Sequence, residues 1–237
     1  MADRDYIDGL AALIAERAAR RAEPGAFLVG VTGGVAAGKS TLARRVADTL
    51  AAGGAPVEIV ATDGFLKPNA VLEPAGLGKK KGFPETYDTA AFHAFLADLA
   101  SGRRAEIPVY SHVTYDIVPG EARAVDGAGV VIVEGINVLQ TPQARERFGL
   151  SVYLDADPAD AKAWYLARLH GIIAADPTSF FASMEPDQRD ALFESAWTHL
   201  NLVNLREYIA PTAAFADVVV RKGPDHAIVA LEAPTPP

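Results

Sequence analysis

The segment at positions 33–41, with the letters GGVAAGKST, is the feature that most restricts how this chain can fold. It matches the pattern G-x-x-x-x-G-K-[ST], a glycine-rich loop whose backbone amides surround phosphate groups. A short apolar run at 26–31 precedes the loop, and Leu42, Val46 and Leu50 recur after it at helical spacing. Strand, loop and helix therefore follow one another in the order that this motif requires, which predicts a site for a nucleoside triphosphate.

The glycines, the lysine and the serine of this phosphate loop are each expected to contact a different part of a bound nucleotide. Glycines leave room for backbone N–H groups to approach the β-phosphate, and the N-terminus of the following helix adds its positive end. Lys39 is expected to reach the β- and γ-phosphates, and the Ser40 hydroxyl to ligate Mg²⁺. The predicted nucleotide-binding residues are Gly33, Gly34, Val35, Ala36, Ala37, Gly38, Lys39, Ser40 and Thr41.

Composition restricts the class of protein further. The chain has 237 residues, half of them hydrophobic, so we expect one domain over 1–237 with a substantial core. A packing helix is expected within 1–24, and a tail without fixed structure at 232–237. No apolar stretch reaches the ~18 residues of a membrane span, and no secretory signal is recognisable, so we expect a cytoplasmic protein without a membrane partner. The lack of cysteine excludes disulfides, and a net charge of −8 argues against a nucleic-acid partner.

Strand and helix patterns alternate along the rest of the chain. This alternation predicts an α/β fold, a P-loop NTPase three-layer sandwich with a mostly parallel central sheet flanked by helices. Ligands of such sheets bind at the carboxyl ends of the strands. We expect strands at 57–62, 130–133, 151–154, 217–220 and 227–231, helices at 90–99, 158–170 and 186–208, and a hairpin or irregular excursion at 108–125.

Three acidic residues follow apolar strands and are therefore candidates for the chemistry at that edge. Asp63 and Glu134 are each followed at once by glycine, which favours a functional position. For Glu134 we consider two roles, a partner of the Mg²⁺ site and direct contact with substrate. Asp155 lacks the following glycine and is interpreted as structural. The lysines at 79–81 lie among glycines after Asp63, and either a solvated loop or a role near phosphate accounts for them.

Several further segments, in order along the chain, resemble the bacterial type I pantothenate kinases. The phosphate loop alone is shared with many kinases, whereas the combined set is specific to this family. The resemblance runs from about position 30 to 226. It rests on TDGFL at 62–66, KGFPETYD at 81–88, PVYSH at 108–112, Tyr115-Asp116, EGINVLQ at 134–140, Trp164-Tyr165, Arg168, Trp197, Asn201, Asn204-Leu205 and Pro211-Thr212.

The resemblance implies transfer of the γ-phosphate of ATP to the primary hydroxyl of pantothenate, the committed step toward coenzyme A. It implies that Asp63 is the general base and that Arg168 steadies charge on the transferring phosphoryl group. Arg44 occupies a position that in the family helps to bind the feedback inhibitor coenzyme A. A homodimer is also implied. The residues implied to hold pantothenate are Tyr110, His112, Tyr165 and Asn201.

The chain departs from the family pattern in three places, one of which is a trimmed connection between Gln140 and Ser151. Residues 1–32 form a shorter lead-in to the phosphate loop than is usual in the family. Leu169 stands where the family has an aromatic residue, and a shortened stretch follows through 172–173, with Phe180 and Phe181 left as candidates to line the pantetheine pocket. This altered pocket leaves inhibition by coenzyme A an open question, whereas phosphate transfer is less affected.

Two other functions compete with the one that the resemblance implies. A small-molecule alcohol kinase of the uridine kinase or phosphoribulokinase type would share the phosphate loop and the strand-end aspartate, but is expected to lack the Tyr110 and Asn201 segments in this form. A non-catalytic protein that binds a nucleotide or coenzyme A is the second alternative. A GTPase switch is disfavoured because the guanine-specificity pattern Asn-Lys-x-Asp does not occur.

Overall fold

A six-stranded sheet forms the centre of the computed structural model, which describes residues 3–176, 178 and 180–234. The strands are β1 (Phe27–Gly33), β2 (Val57–Ala61), β3 (Ala105–Ser111), β4 (Asp116–Val125), β5 (Val130–Glu134), β6 (Leu150–Asp155), β7 (Val218–Lys222) and β8 (Ile228–Glu232). Their order in the main sheet is β2-β5-β1-β6-β7-β8, while β3 and β4 pair separately as an antiparallel hairpin. Only β8 runs antiparallel to its neighbour in the main sheet.

Helices cover both faces of this sheet. They are α1 (Asp3–Arg20), α2 (Lys39–Ala52), α3 (Asn69–Leu72), α4 (Thr89–Ala100), α5 (Pro142–Arg145), α6 (Pro158–Ala175), α7 (Pro186–Ala196) and α8 (Leu202–Asn204). Two π-helical turns, Trp197–Asn201 and Leu205–Ile209, flank α8. Among the helices within the described ranges, none combines the length and apolar character needed to cross a bilayer. The α/β prediction of a mostly parallel sheet between helices is confirmed.

Burial of the central strands determines where the site can form. All seven residues of β1 and all five of β5 are buried, as expected for parallel strands covered on both faces. Val29 of β1 pairs with Ile132 on one side and with Leu150 on the other. Because β2, β5, β1 and β6 run in the same direction, their carboxyl ends meet at one edge of the sheet. The phosphate loop and the segment after β2 therefore lie together.

Each face of the sheet packs against helices through its own apolar cluster, so the fold has three layers, helices, sheet and helices. One cluster joins α1 and α2 to the sheet through Ile7, Leu10, Ile14, Leu42 and Val46. The other joins α4 to the opposite face through Phe92, Phe95, Leu96 and Leu99. A side-chain cap fixes the start of α4, where Asp88 accepts a hydrogen bond from the Ala91 amide.

Some element bounds differ from the sequence-based expectation. The strand predicted at 57–62 ends at Ala61, because Thr62 turns into a 3₁₀ segment where its hydroxyl is buried. Helix α6 continues past the predicted end at 170 to Ala175. The helix predicted at 186–208 is broken into α-helical and π-helical turns. Glu232, assigned to the tail, belongs to β8, and residues 235–237 of that tail lie outside the described residues.

Candidate active site

The phosphate loop turns sharply before α2. Ala36 and Gly38 both have positive φ angles, 63° and 91°, and Gly38 is the last residue before the 14-residue helix α2. Glycine adopts such angles without steric cost, which explains the residue type at position 38. No side chain caps the start of α2, so its first backbone N–H groups are available to an anion. The loop therefore presents the phosphate-binding geometry that the motif predicts.

Lys39 lies partly buried at the point where the loop meets the sheet edge. Its Nζ donates a hydrogen bond to the Gly34 carbonyl at 2.8 Å. Burial lowers the pKa of Lys39 to about 8, although the carboxylates of Glu134 and Asp63 favour its charged form, and the Arg168 guanidinium disfavours it further. A desolvated ammonium surrounded by these groups is suited to hold phosphate oxygens strongly.

Ser40 and Glu134, the two residues predicted to hold Mg²⁺, are in direct contact with each other. The Ser40 hydroxyl donates to Glu134 Oε1 at 2.8 Å, and Glu134 is 8% exposed at the end of β5. In proteins Mg²⁺ binds one or two carboxylates and keeps water and phosphate oxygens as its other ligands. A hydroxyl and a carboxylate beside a phosphate loop fit that chemistry. Within the described residues, no group of three or more histidine or acidic side chains is arranged to hold a metal ion by itself.

A cleft of about 900 Å³ lies over the start of α2 and is large enough for a nucleotide. The predicted residues Lys39, Ser40, Thr41 and Arg44 line it. Sequence reasoning missed the opposite wall, which is built from Trp164, Lys222, Asp225 and His226. The Trp164 and His226 rings stack with centroids 3.9 Å apart.

A second cleft of about 350 Å³ contains two of the four residues that the family resemblance implied for the acceptor, together with both strand-end carboxylates of the predicted site. Asp63, Tyr110, His112 and Glu134 line it. We call the cleft of about 900 Å³ the nucleotide cleft and the cleft of about 350 Å³ the acceptor cleft. Four residues lie in the walls of both, namely Ala36, Lys39, Ser40 and Arg168. Lys39 of α2 and Arg168 of α6 therefore both lie at the boundary between the two clefts. A group transferred from one cleft to the other would pass these two side chains.

The side chains around Asp63 form a compact polar group. His112 Nε2 lies 3.9 Å from Asp63 Oδ2, and the rings of Tyr110 and His112 meet edge to face at 5.1 Å. Burial, with a smaller contribution from the Asp63 charge, raises the pKa of Tyr110 to about 12. Tyr110 therefore keeps its proton near neutral pH and is available as a hydrogen-bond donor to a ligand.

Tyr165 and Asn201 are brought together with each other but do not line either of these two clefts. Burial raises the pKa of Tyr165, while a side-chain hydrogen bond with Asn201 lowers it and the nearby Tyr115 raises it further. The Tyr165 ring also packs on Trp197 at 5.5 Å. The pair thus lies next to Tyr115, which is itself part of the acceptor-cleft wall.

The acceptor cleft is also lined by polar side chains that were not among the predicted site residues. Lys81, Tyr87 and Tyr115 line the acceptor cleft. For Lys81 the sequence allows two interpretations, a solvated loop or a role near phosphate, and its position between Gly78 and Gly82 is the signal for the second. For Lys222 in the nucleotide cleft the signal was its place at the end of a late strand. Asp155, interpreted as structural, forms an ion pair with Arg221.

Thr62 connects the Asp63 turn to the segment after β5. Its hydroxyl is fully buried and donates to Asn137 Oδ1 at 2.6 Å. Thr62→Val is expected to lower the free energy of unfolding by about 1–3 kcal/mol, because the Asn137 acceptor would stay buried without its donor. Urea denaturation measures this, with the exposed Thr114→Val as the matched control. Equal stability of the two variants would contradict the importance of this bond.

The pKa of Lys39 predicts how nucleotide affinity depends on pH. Lys39 is charged below about 8 and neutral above it, so affinity for MgATP is expected to fall by up to about tenfold per pH unit above that value. ATP itself does not titrate there, since a terminal phosphate has its second pKa at about 6. Calorimetric titration of MgATP between pH 6.5 and 9.5 tests this.

Two variants separate Lys39 from the other lysine of this cleft. The pKa of Lys222 is also lowered, chiefly by burial. Lys222→Met should keep the alkaline fall in affinity, whereas Lys39→Met should show weak binding with no such fall. The reverse pattern would assign the titration to Lys222.

Comparison with known proteins places this site in a recognised class. The family model of the phosphoribulokinase / uridine kinase family matches residues 28–168. A solved structure described as a fructose transport system kinase from Silicibacter sp. TM1040 is similar, with a TM-score of 0.69 and 30% identity. That similarity covers 84% of this chain and 92% of the other. The fold and the site define a P-loop kinase, an enzyme that transfers phosphoryl groups from a nucleotide.

Named relatives identify the family to which this kinase belongs. The pantothenate kinase of Rhodopseudomonas palustris (strain TIE-1) is 45% identical over 222 residues, which covers 85% of this chain and 70% of that protein. The pantothenate kinase of Sorangium cellulosum (strain So ce56) is 45% identical over 220 residues, with coverage of 86% and 71%. The chain belongs to the pantothenate kinase family, and the family resemblance found in the sequence is confirmed.

Proposed function

We propose that this kinase transfers the γ-phosphoryl group of ATP to the primary hydroxyl of pantothenate and forms 4′-phosphopantothenate. The observation that carries the proposal is the junction of the two clefts, where Lys39 and Arg168 stand between the phosphate loop and the cleft that contains Asp63. The relatives at 45% identity, which are named pantothenate kinases, support the choice of acceptor.

Asp63 is proposed as the general base. As the acceptor oxygen forms its bond to the γ-phosphorus, the bond from that phosphorus to the β–γ bridging oxygen breaks and ADP leaves. The proton of the hydroxyl passes to an Asp63 carboxylate oxygen. Asp63 can serve this purpose because it lines the acceptor cleft close to the shared wall.

Charge on the moving phosphoryl group needs several cations, since the transition state is loose and its equatorial oxygens stay negative. We assign this stabilisation to Lys39 and Arg168, which reach the boundary between the clefts from different helices. Ser40 and Glu134 would hold Mg²⁺, which supplies further neutralisation of the β- and γ-phosphates. Direct contact of Glu134 with substrate remains the alternative to this metal role.

Pantothenate has a carboxylate, an amide and two hydroxyls, so its pocket needs several neutral donors and acceptors. Tyr110 and His112 are proposed to hold it beside Asp63. Tyr165 and Asn201 are proposed to reach the same ligand from the side of Tyr115. The interaction between the two side chains, which lowers the pKa of Tyr165, supports a shared role.

Coenzyme A is proposed as an inhibitor that competes for the nucleotide cleft, with Arg44 in its wall as a cation for the ligand phosphates. The family resemblance implies an altered pocket for its pantetheine arm, with Phe180 and Phe181 as candidate lining residues. Phe180 is 74% exposed, whereas Phe181 packs on Phe193 with ring centroids 5.4 Å apart. The family resemblance supports a homodimer, which light scattering after size exclusion would test.

A coupled ADP-release assay with MgATP and pantothenate tests the proposed function. Uridine and fructose are tested as alternative acceptors in parallel wells, and mass spectrometry identifies the phosphorylated product. We expect ADP release that depends on pantothenate, and inhibition when coenzyme A is titrated. Activity with uridine or fructose alone would keep the kinase class and overturn the acceptor. ATP binding without turnover of any acceptor would favour the non-catalytic alternative.

A further inference from the structure

The tip of the β3–β4 hairpin has a backbone conformation that needs an explanation. Tyr115, just before β4, has a φ of 52°, an angle that a bulky side chain rarely adopts. Its side chain is 48% exposed and lines the acceptor cleft. A residue held in such a conformation requires surrounding contacts that outweigh the strain, and sites of this kind cluster where a ligand is held.

Asp116 supplies those contacts from the next position in the chain. Its Oδ1 accepts hydrogen bonds from the backbone amides of Ile117 and Asn69, each at 2.9 Å. Asn69 belongs to α3, so the second bond ties the hairpin to a segment 47 residues away. Lys81 Nζ lies 3.7 Å from the same oxygen. One carboxylate therefore joins three separate pieces of the chain.

Lys81 extends this connection to the acceptor cleft. Its Nζ donates a hydrogen bond to the Tyr115 carbonyl and lies 5.6 Å from the centre of the Tyr110 ring. Lys81, Tyr110 and Tyr115 all line the acceptor cleft, whereas Asp116 does not. The carboxylate thus stands behind the cleft wall and contacts the residues that form it.

The ionisation of Asp116 agrees with this arrangement. Burial alone would raise its pKa, but the hydrogen bonds from the Asn69 and Ile117 amides and the charge of Lys81 outweigh it. The net effect lowers the pKa of Asp116 below its ordinary value. The group is therefore a carboxylate at neutral pH, able to hold all its partners at once.

We propose that Asp116 is a positioning residue for the acceptor, which holds Tyr115 and Lys81 in the wall of the acceptor cleft by tying the hairpin tip to α3. The proposal rests on the proposed function in one respect, the use of this cleft by the acceptor. It predicts a defect in acceptor binding that does not extend to the nucleotide. A residue that served only general stability would affect both substrates alike.

Three variants test the proposal. Asp116→Ala removes every bond to the carboxylate and is expected to raise the KM for pantothenate by about tenfold, with the KM for ATP unchanged within about twofold. Asp116→Asn keeps an oxygen acceptor for the two amides and loses the charge, so a smaller rise of about threefold is expected. Glu121→Gln, an exposed carboxylate on the same hairpin, is the control and should leave both values unchanged.

Hydrogen exchange of the peptide that covers 111–118 gives a readout that is independent of the acceptor. Faster exchange in Asp116→Ala, but not in Glu121→Gln, is expected at an unchanged melting temperature. Unchanged exchange, or an equal rise in the KM for both substrates, would overturn the proposal. If the wild type phosphorylates uridine instead of pantothenate, the proposed function fails, while the exchange data and the KM for uridine still decide the role of Asp116.

Discussion

Replacement of Asp63 by asparagine is expected to lower kcat by about 10²–10⁴-fold, the range typical of a lost general base. The amide keeps the size of the side chain but cannot take the proton of the acceptor hydroxyl. Affinity for MgATP should stay within about twofold of wild type, since Asp63 lines the acceptor cleft and not the nucleotide cleft. Steady-state kinetics and calorimetric titration of MgATP measure the two quantities.

The position of Asp63 is held by its neighbours, so the variant should fold normally. A Cβ on Gly64 would lie 2.5 Å from the Pro108 carbonyl oxygen, which shows how closely this turn packs against β3. Asp155→Asn is the matched control, because Asp155 also ends a strand but pairs with Arg221. Near-normal turnover in Asp63→Asn would show that another group takes the proton. An equal loss in the control would show that the effect is not specific to Asp63.

Lys39→Met is expected to reduce both turnover and nucleotide affinity. The thioether is similar in length but has no charge, so the phosphates would lose the partly buried ammonium at the boundary of the clefts. Loss of one preorganised electrostatic contact of this type costs about 10²–10³-fold in kcat. The loss of affinity adds to this, because Lys39 is expected to contact the β- and γ-phosphates before and during transfer.

A surface lysine separates this effect from a general change of charge. Lys162 forms an exposed ion pair with Glu194 on α7, with 2.6 Å between Nζ and Oε2. Lys162→Met should leave kcat and the Kd for MgATP unchanged. The assignment of Lys39 would be wrong if its variant bound MgATP with wild-type affinity and lost only a small part of its turnover.

Asp63 and Lys39, the residues of the two predictions above, could be identified from the sequence because the patterns that mark them are local. The phosphate loop needs specific glycines, a lysine and a hydroxyl within nine positions, and steric and electrostatic rules connect each residue to its part. Apolar runs of four to seven residues predict buried parallel strands. Because such strands share a direction, the prediction that Asp63 and Glu134 meet the loop at one edge needed no tertiary information.

Residues whose role depends on distant partners could not be placed in this way. Lys222 reaches the nucleotide cleft only because β7 follows β6 in the sheet. Tyr165 and Asn201, grouped with Tyr110 by resemblance, are directed toward each other by the packing of α6 on the π-helical turn at Trp197–Asn201. Both outcomes depend on how helices and strands pack across the molecule, which no local pattern encodes.

The sequence by itself determined the phosphate loop, the parallel sheet and the strand-end carboxylate, since each follows from short-range spacing and residue chemistry. The kinase class was implied by the resemblance of its motifs to a known family. The tertiary structure decided how the turn after β2 and the tip of the β3–β4 hairpin are held beside the acceptor cleft. Thr62 bonds Asn137 across 75 positions, and Asp116 bonds Asn69 across 47. Such bonds form only after the chain has folded, because bringing their partners together costs entropy that the packed core must first offset.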